Sequence, residues 1–182
     1  MILNSAIEDG PTPQPSYTDK KRFAWLLSVV GPAIALVGTV AVSSFEVNRW
    51  ILFFPLVFYY FFVPLLDFLI GEDTSNPPES SIEDLEADPY YRWITYATIP
   101  ILWIAVIFNC IFLCTFSLNA FEWLATVMTT GSVLGFGLNV SHELGHKLQT
   151  LPRKIALFNT ALGAYGHFSI EHNRGHHRHV ST

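Results

Sequence analysis

The run FAWLLSVVGPAIALVGTVAVSSF, Phe23–Phe45, carries no Asp, Glu, Lys, Arg or His over 23 residues. As a helix it extends roughly 34 Å at about 1.5 Å per residue, more than a hydrocarbon core of about 30 Å. It therefore reads as a membrane span, and three more follow: Trp50–Leu66 continued past Asp67 to Ile70, Trp93 to about Phe116, and Trp123–Ser141. The four spans pair into two hairpins. Pro32, Pro55, Pro64 and Pro100 fall inside them. Lipid-embedded helices tolerate such prolines when neighbours re-satisfy the freed carbonyls, so kinks are expected. A polar stretch precedes the first span and no small-residue cleavage site follows it, which argues against a cleaved signal peptide.

Composition agrees: 51% of the 182 residues are hydrophobic, 15% aromatic and only 14% charged, too apolar for an ordinary soluble domain. The expected fold is an all-α membrane protein, a helical bundle with four transmembrane helices in this segment. Lys20, Lys21, Arg22, Arg92, Lys147, Arg153, Lys154, Arg174 and Arg178 fall on one side of the four spans and only Arg49 on the other. That asymmetry makes the amino terminus cytoplasmic. Residues 1–22 then form a cytoplasmic segment, and residues 23–182 a membrane-embedded domain. The net charge of −5 comes largely from GEDTSNPPESSIEDLEAD, Gly71–Asp88, an exposed cytoplasmic connection. Nothing suggests nucleic-acid binding. Cys110 and Cys114, four apart in the third span, read as packing residues rather than a disulfide framework.

All seven histidines lie between His142 and His179, in SHELGHK (Ser141–Lys147), in YGHFS, and in IEHNRGHHRHV (Ile170–Val180). His142 emerges at the cytoplasmic end of the fourth span, and on a continuing helix it shares a face with His146, close enough to bind one metal. Glu143 points elsewhere on that helix. If Arg153–Ile170 crossed the bilayer, the second box would be stranded opposite the first, so this segment reads as a buried or re-entrant helix returning to the cytoplasmic side. The second box then adds His172, His176 and His177. Five neutral imidazoles exceed the three protein ligands of a catalytic zinc, which points to two metals; imidazole suits iron, zinc and copper alike.

HExxH followed by EHxxxHH at a membrane boundary resembles the first two histidine boxes of the integral-membrane alkane 1-monooxygenases. GFGLNVSHELGHK, GAYGHFSIEHNRGHHRHV, PLLDFLIGED and NPPE resemble the same family in order, over nearly the whole chain. The resemblance implies a six-helix bundle holding two iron ions at the cytoplasmic face of the bacterial inner membrane. It also implies activation of O2 with electrons from rubredoxin and its reductase, and hydroxylation of the terminal methyl of a medium- or long-chain n-alkane that enters from the lipid bilayer. His142, His146, His172, His176 and His177 are then the iron ligands. The family's later HYG motif, HxxHH box and two further helices have no counterpart here, so this segment is expected to be an amino-terminal portion, inactive alone. Glu143 and Glu171 are expected to orient ligand imidazoles by accepting their second N–H, with direct ligation as the rival assignment. His167 reads as a supporting residue rather than a ligand, and His179 fits neither box. Tyr59, eight residues before Asp67, lies about 12 Å deeper than the cytoplasmic end of its span. Aligned on PLLD, it stands where the family places an aromatic stop in the substrate channel.

Two other classes share parts of this pattern. Fatty-acyl desaturases and hydroxylases also use histidine boxes, but their second box is usually HxxHH. A membrane zinc metallopeptidase would use Glu143 as general base beside His142 and His146, leaving the second box idle.

Overall fold

Helix begins at Arg22, one residue before the apolar run, but it does not continue unbroken to Phe45. The computed structural model, which describes residues 17–176, divides this span into α1 (Arg22–Ile34) and α2 (Val37–Ser44), bent by 48°. The break follows Pro32, whose missing N–H removes a helical bond. Beyond it, Ala35 N–H donates to Pro32 O at 3.2 Å and Leu36 N–H to Ala33 O at 3.1 Å, the tighter i→i+3 pattern. The kink expected from a proline inside this span is present, sharp enough to interrupt the helix over Ala35 and Leu36. The bend lays α2 on the start of α3 (Arg49–Ile70), where a Cβ on Gly38 would lie 2.8 Å from both Ile51 O and Leu52 Cα.

Asn48 caps α3, its side chain accepting from Trp50 N–H at 3.0 Å. Phe58–Phe62 widens into a π turn just before Pro64, where the proline cannot donate to the ladder. Gly71, at φ 75°, ends the helix. After a short α4 (Ile82–Ala87), α5 (Pro89–Thr115) starts with proline in its first turn and Asp88 accepting from Tyr90 N–H at 2.8 Å. A capping box opens α6 (Ala120–Gly145): Asn119 Oδ1 accepts from the Phe121 and Glu122 amides, and Glu122 accepts from Asn119 N–H, all at 3.0 Å. Helices α3, α5 and α6 are each long and apolar enough to cross a bilayer, and the bent α1–α2 pair makes a fourth crossing if counted as one.

The next helix, α7 (Thr150–Leu162), has 13 residues. It is about 20 Å long, too short to span. It packs on α6 and α5 and gives way to a short α8 (Phe168–Ile170), which continues as a π turn over Glu171–His176. Ile99, Leu102, Ala105, Val106, Val133, Leu144 and Ala156 form the core between α5, α6 and α7. Small residues at this interface let the backbones approach closely. Trp103 stacks on Phe158 at 4.3 Å, and Thr39 donates to the buried Asn109 Oδ1 at 2.8 Å. Cys110 and Cys114 are free and exposed, so they do not pack inside the bundle; their small apolar side chains suit a surface that faces lipid.

Polar contacts mark the two ends. At one, Arg22 pairs with Asp88 at 3.0 Å, Lys21 with Asp73, and Lys147 with Glu86 at 3.6 Å. The bond from Lys21 holds the Asp73 carboxyl below its ordinary range. At the other, Arg49 reaches Ser117 O at 2.7 Å and Glu122 at 3.2 Å. The start of α1, the acidic loop and the end of α6 therefore share one end of the bundle.

Gly38→Ala should force α2 off the backbone of α3, a cost of about 1–3 kcal/mol. A lower thermal midpoint in detergent is the expected result, and an unchanged midpoint would refute this close backbone packing.

Candidate metal centre

His142 and His146 project from the last turn of α6, one helical turn apart. Their Nε2 atoms are 3.1 Å apart, and His172, from the π turn after α8, brings its own Nε2 to 3.2 Å from that of His146. One ring nitrogen from each residue lies within 4.8 Å of the other two. Separations near 3 Å are what two imidazoles each about 2.0–2.1 Å from one ion adopt, so this donor set fits a metal.

The surroundings orient the rings. Glu143 Oε1 lies 3.2 Å from His142 Nδ1. Accepting a hydrogen bond from Nδ1–H there favours the tautomer that leaves Nε2 bare toward the cluster. Phe168 stacks on His172 with ring centroids 5.0 Å apart. Glu171 meets two neighbours: Tyr165 donates to Oε2 at 2.9 Å, and His167 Nε2 lies 3.5 Å from Oε1. The carboxylate beside it raises the Tyr165 phenol above its ordinary pKa, since ionisation would set two anions together. The structure thus joins Glu171 to His167. His177 and His179 lie outside the described residues, and the side chain of His176 is likewise outside what is described.

Tyr59 sits half-buried in the π turn of α3 and donates its hydroxyl to Gly31 O on α1 at 2.8 Å. Sequence reasoning missed Ser141, Asn159 and Phe168. Ser141 and Asn159 are almost fully buried, and Asn159 Nδ2 donates to Ser141 Oγ and to Gly137 O, both at 2.8 Å. A lone asparagine in the apolar stretch ALFNTALGA was the available signal.

Fold and site together define a helical membrane protein with a histidine cluster, suited to a metal, at one end of its bundle. No family model matches the chain. It is 45% identical to alkane 1-monooxygenase 1 of Alcanivorax borkumensis over 168 residues, which is 91% of this chain and 41% of that protein. Against the alkane 1-monooxygenases of Pseudomonas putida and Ectopseudomonas oleovorans the identities are 42% and 41% over 170 residues, 92% of this chain and 42% of each relative. The chain is a homologue of the alkane 1-monooxygenases and spans about two fifths of the length of these relatives.

His142→Ala should abolish high-affinity metal binding by the purified protein, whereas Glu143→Gln should keep the metal with affinity reduced about tenfold or more. His167→Ala should leave metal content unchanged. Metal analysis after dialysis checks all three, and equal loss from His167→Ala would show that the ligand set is drawn wrongly.

Proposed function

We propose that this chain forms part of a rubredoxin-dependent alkane 1-monooxygenase, which converts medium- or long-chain n-alkanes to 1-alkanols. The observation that carries the reading is the convergence of His142, His146 and His172 at one end of an apolar bundle whose sequence is homologous to enzymes of that name. In this reading residues 1–22 are cytoplasmic and residues 23–182 form a membrane-embedded hydroxylase domain. The histidine boxes face the cytoplasm across a bacterial inner membrane.

His142, His146 and His172, joined by His176 and His177, would hold two non-haem iron ions. Bound there, the irons would supply O2 activation, the overall change taking two electrons from rubredoxin and its reductase and two protons as one oxygen atom enters the alkane and the other leaves as water. The chain's own residues do the rest. Glu143 accepts a hydrogen bond from His142 Nδ1–H and keeps the Nε2 lone pair on the metal side. Glu171 holds His167 and Tyr165, which brace the turn carrying Phe168 and His172. A terminal methyl offers no polar handle, so apolar walls alone must hold the substrate. Tyr59, tied to Gly31 on α1, is the proposed stop of that channel.

The purified full-length protein carrying this chain should contain about two irons, judged against the three-ligand capacity of a single catalytic ion. Zinc without iron would reject the oxygenase reading. Tyr59→Ser should shift turnover toward longer alkanes when a short and a long alkane compete in one reaction, a format that cancels differences in the amount of folded enzyme. An unchanged product ratio removes Tyr59 from the channel and leaves it as a strut between α1 and α3.

A further inference from the structure

We propose that Asn159 is a positioning residue that sets the second histidine box against the first. This rests on the metal-centre reading above and goes beyond it. Asn159 lies on α7, between the boxes in sequence and almost fully buried, at 4% exposure. Its Nδ2 donates to two groups on α6, Gly137 O and Ser141 Oγ, each at 2.8 Å. Gly137 O can only accept, so the amide cannot be flipped. Ser141, itself 1% exposed, immediately precedes His142. The asparagine therefore fixes α7 within one residue of the first ligand.

Apolar packing brings α7 against α6, but it is not continuous along the seam: an open cleft of about 190 Å³ lies beside Asn159, lined by Val133, Leu134, Leu138 and Leu162 among others. Apolar contact has no direction, whereas a pair of hydrogen bonds at low dielectric adds a directional constraint on register. Gly137 keeps the approach open: a Cβ there would lie 3.3 Å from Asn159 Nδ2.

The register is carried onward by a stiff turn. Tyr165 N–H donates to Thr160 O and Ala164 N–H to Ala161 O, both at 3.0 Å, while Ala164 takes φ 56°. These are the two bonds of a Schellman cap. Thr160 is the residue next to Asn159, so the turn is anchored where α7 is clamped. Phe168 N–H then donates to Tyr165 O at 3.0 Å, and the Phe168 ring stacks on His172. A displacement of α7 moves His172 relative to His142 and His146.

The test uses two readouts on the detergent-purified chain. Nitroxides at Leu148, 95% exposed, and Ile170, 58% exposed, report the distance between the boxes by dipolar EPR. Both Cys110 and Cys114 are first replaced by Ala, because they are exposed and would also be labelled. Titration with Co(II) alone reports ligand geometry by its affinity and visible spectrum. Asn159→Leu should broaden the distance distribution and weaken Co(II) binding about 10–100-fold. Ser141→Ala, which removes one of the two acceptors and preserves the fold, should change both in the same direction to a smaller extent. Phe112→Leu, a buried substitution at the other end of α5, serves as the comparison for general destabilisation and should change neither. The proposal is overturned if Asn159→Leu, or Ser141→Ala where the former does not fold, leaves both readouts unchanged, or if Phe112→Leu matches their effect. Failure of the unsubstituted chain to bind Co(II) would end the metal reading, and the distance distribution would still decide the positional one.

Discussion

Imidazoles that share a metal must reach it from the same side of the bilayer. Every feature of the chain after α6 answers to that constraint. His142 and His146 stand at the end of a spanning helix, so the chain must return to the same end before His172. A second full crossing would prevent this, and 13 residues of α7 are too few to make one. The partial helix nevertheless brings its backbone against an apolar core, where each N–H and C=O must find a partner. Helix satisfies most of them, and the Schellman bonds of Ala164 and Tyr165 satisfy the carbonyls left at its end.

The same reasoning explains where polar side chains are buried. Lipid tails are as apolar as leucine, so burying leucine between helices gains little over leaving it in lipid. Close backbone approach and directional bonds carry more of the specificity. Gly38 on α2, the Thr39–Asn109 bond between α2 and α5, and Asn159 between α7 and α6 each join a different pair of helices. Ion pairs at the ends hold the loops: Lys21, Arg22 and Lys147 at one end, Arg49 at the other. Removing one of these exposed pairs should matter less than removing a buried bond, because solvent screens the former.

Much of this was legible beforehand because apolar length and charge asymmetry are local properties. The spans, the shared end of Lys21, Arg22 and the histidines that close α6, and the return of the inter-box segment all follow from them. The break after Pro32 was harder to read. Proline announces a lost bond, but whether a helix kinks or separates depends on what it packs against, here the backbone at Ile51 and Leu52. The outward placement of Cys110 and Cys114 depends on the rotation of α5, which hydropathy does not set when nearly every face is apolar. The contacts of Glu171 with Tyr165 and His167 were not legible either, because they depend on how the π turn over Glu171–His176 sets the carboxylate against the loop before it.

Geometry also separates two chemistries that share HExxH. In a zinc peptidase the glutamate acts on a metal-bound water, so its carboxylate must reach the side of the imidazoles that faces the metal. Here Glu143 lies against Nδ1 of His142, while the convergent nitrogens of His142, His146 and His172 are Nε2. Nδ1 and Nε2 sit on opposite flanks of the ring. A carboxylate on the outer flank orients and polarises its histidine, and with a side chain 74% exposed it keeps the ordinary solvation of a surface acid. His172 adds a third imidazole nitrogen to the inner side. Placing the carboxylate outside and the imidazoles inside makes the motif a ligand frame for a metal.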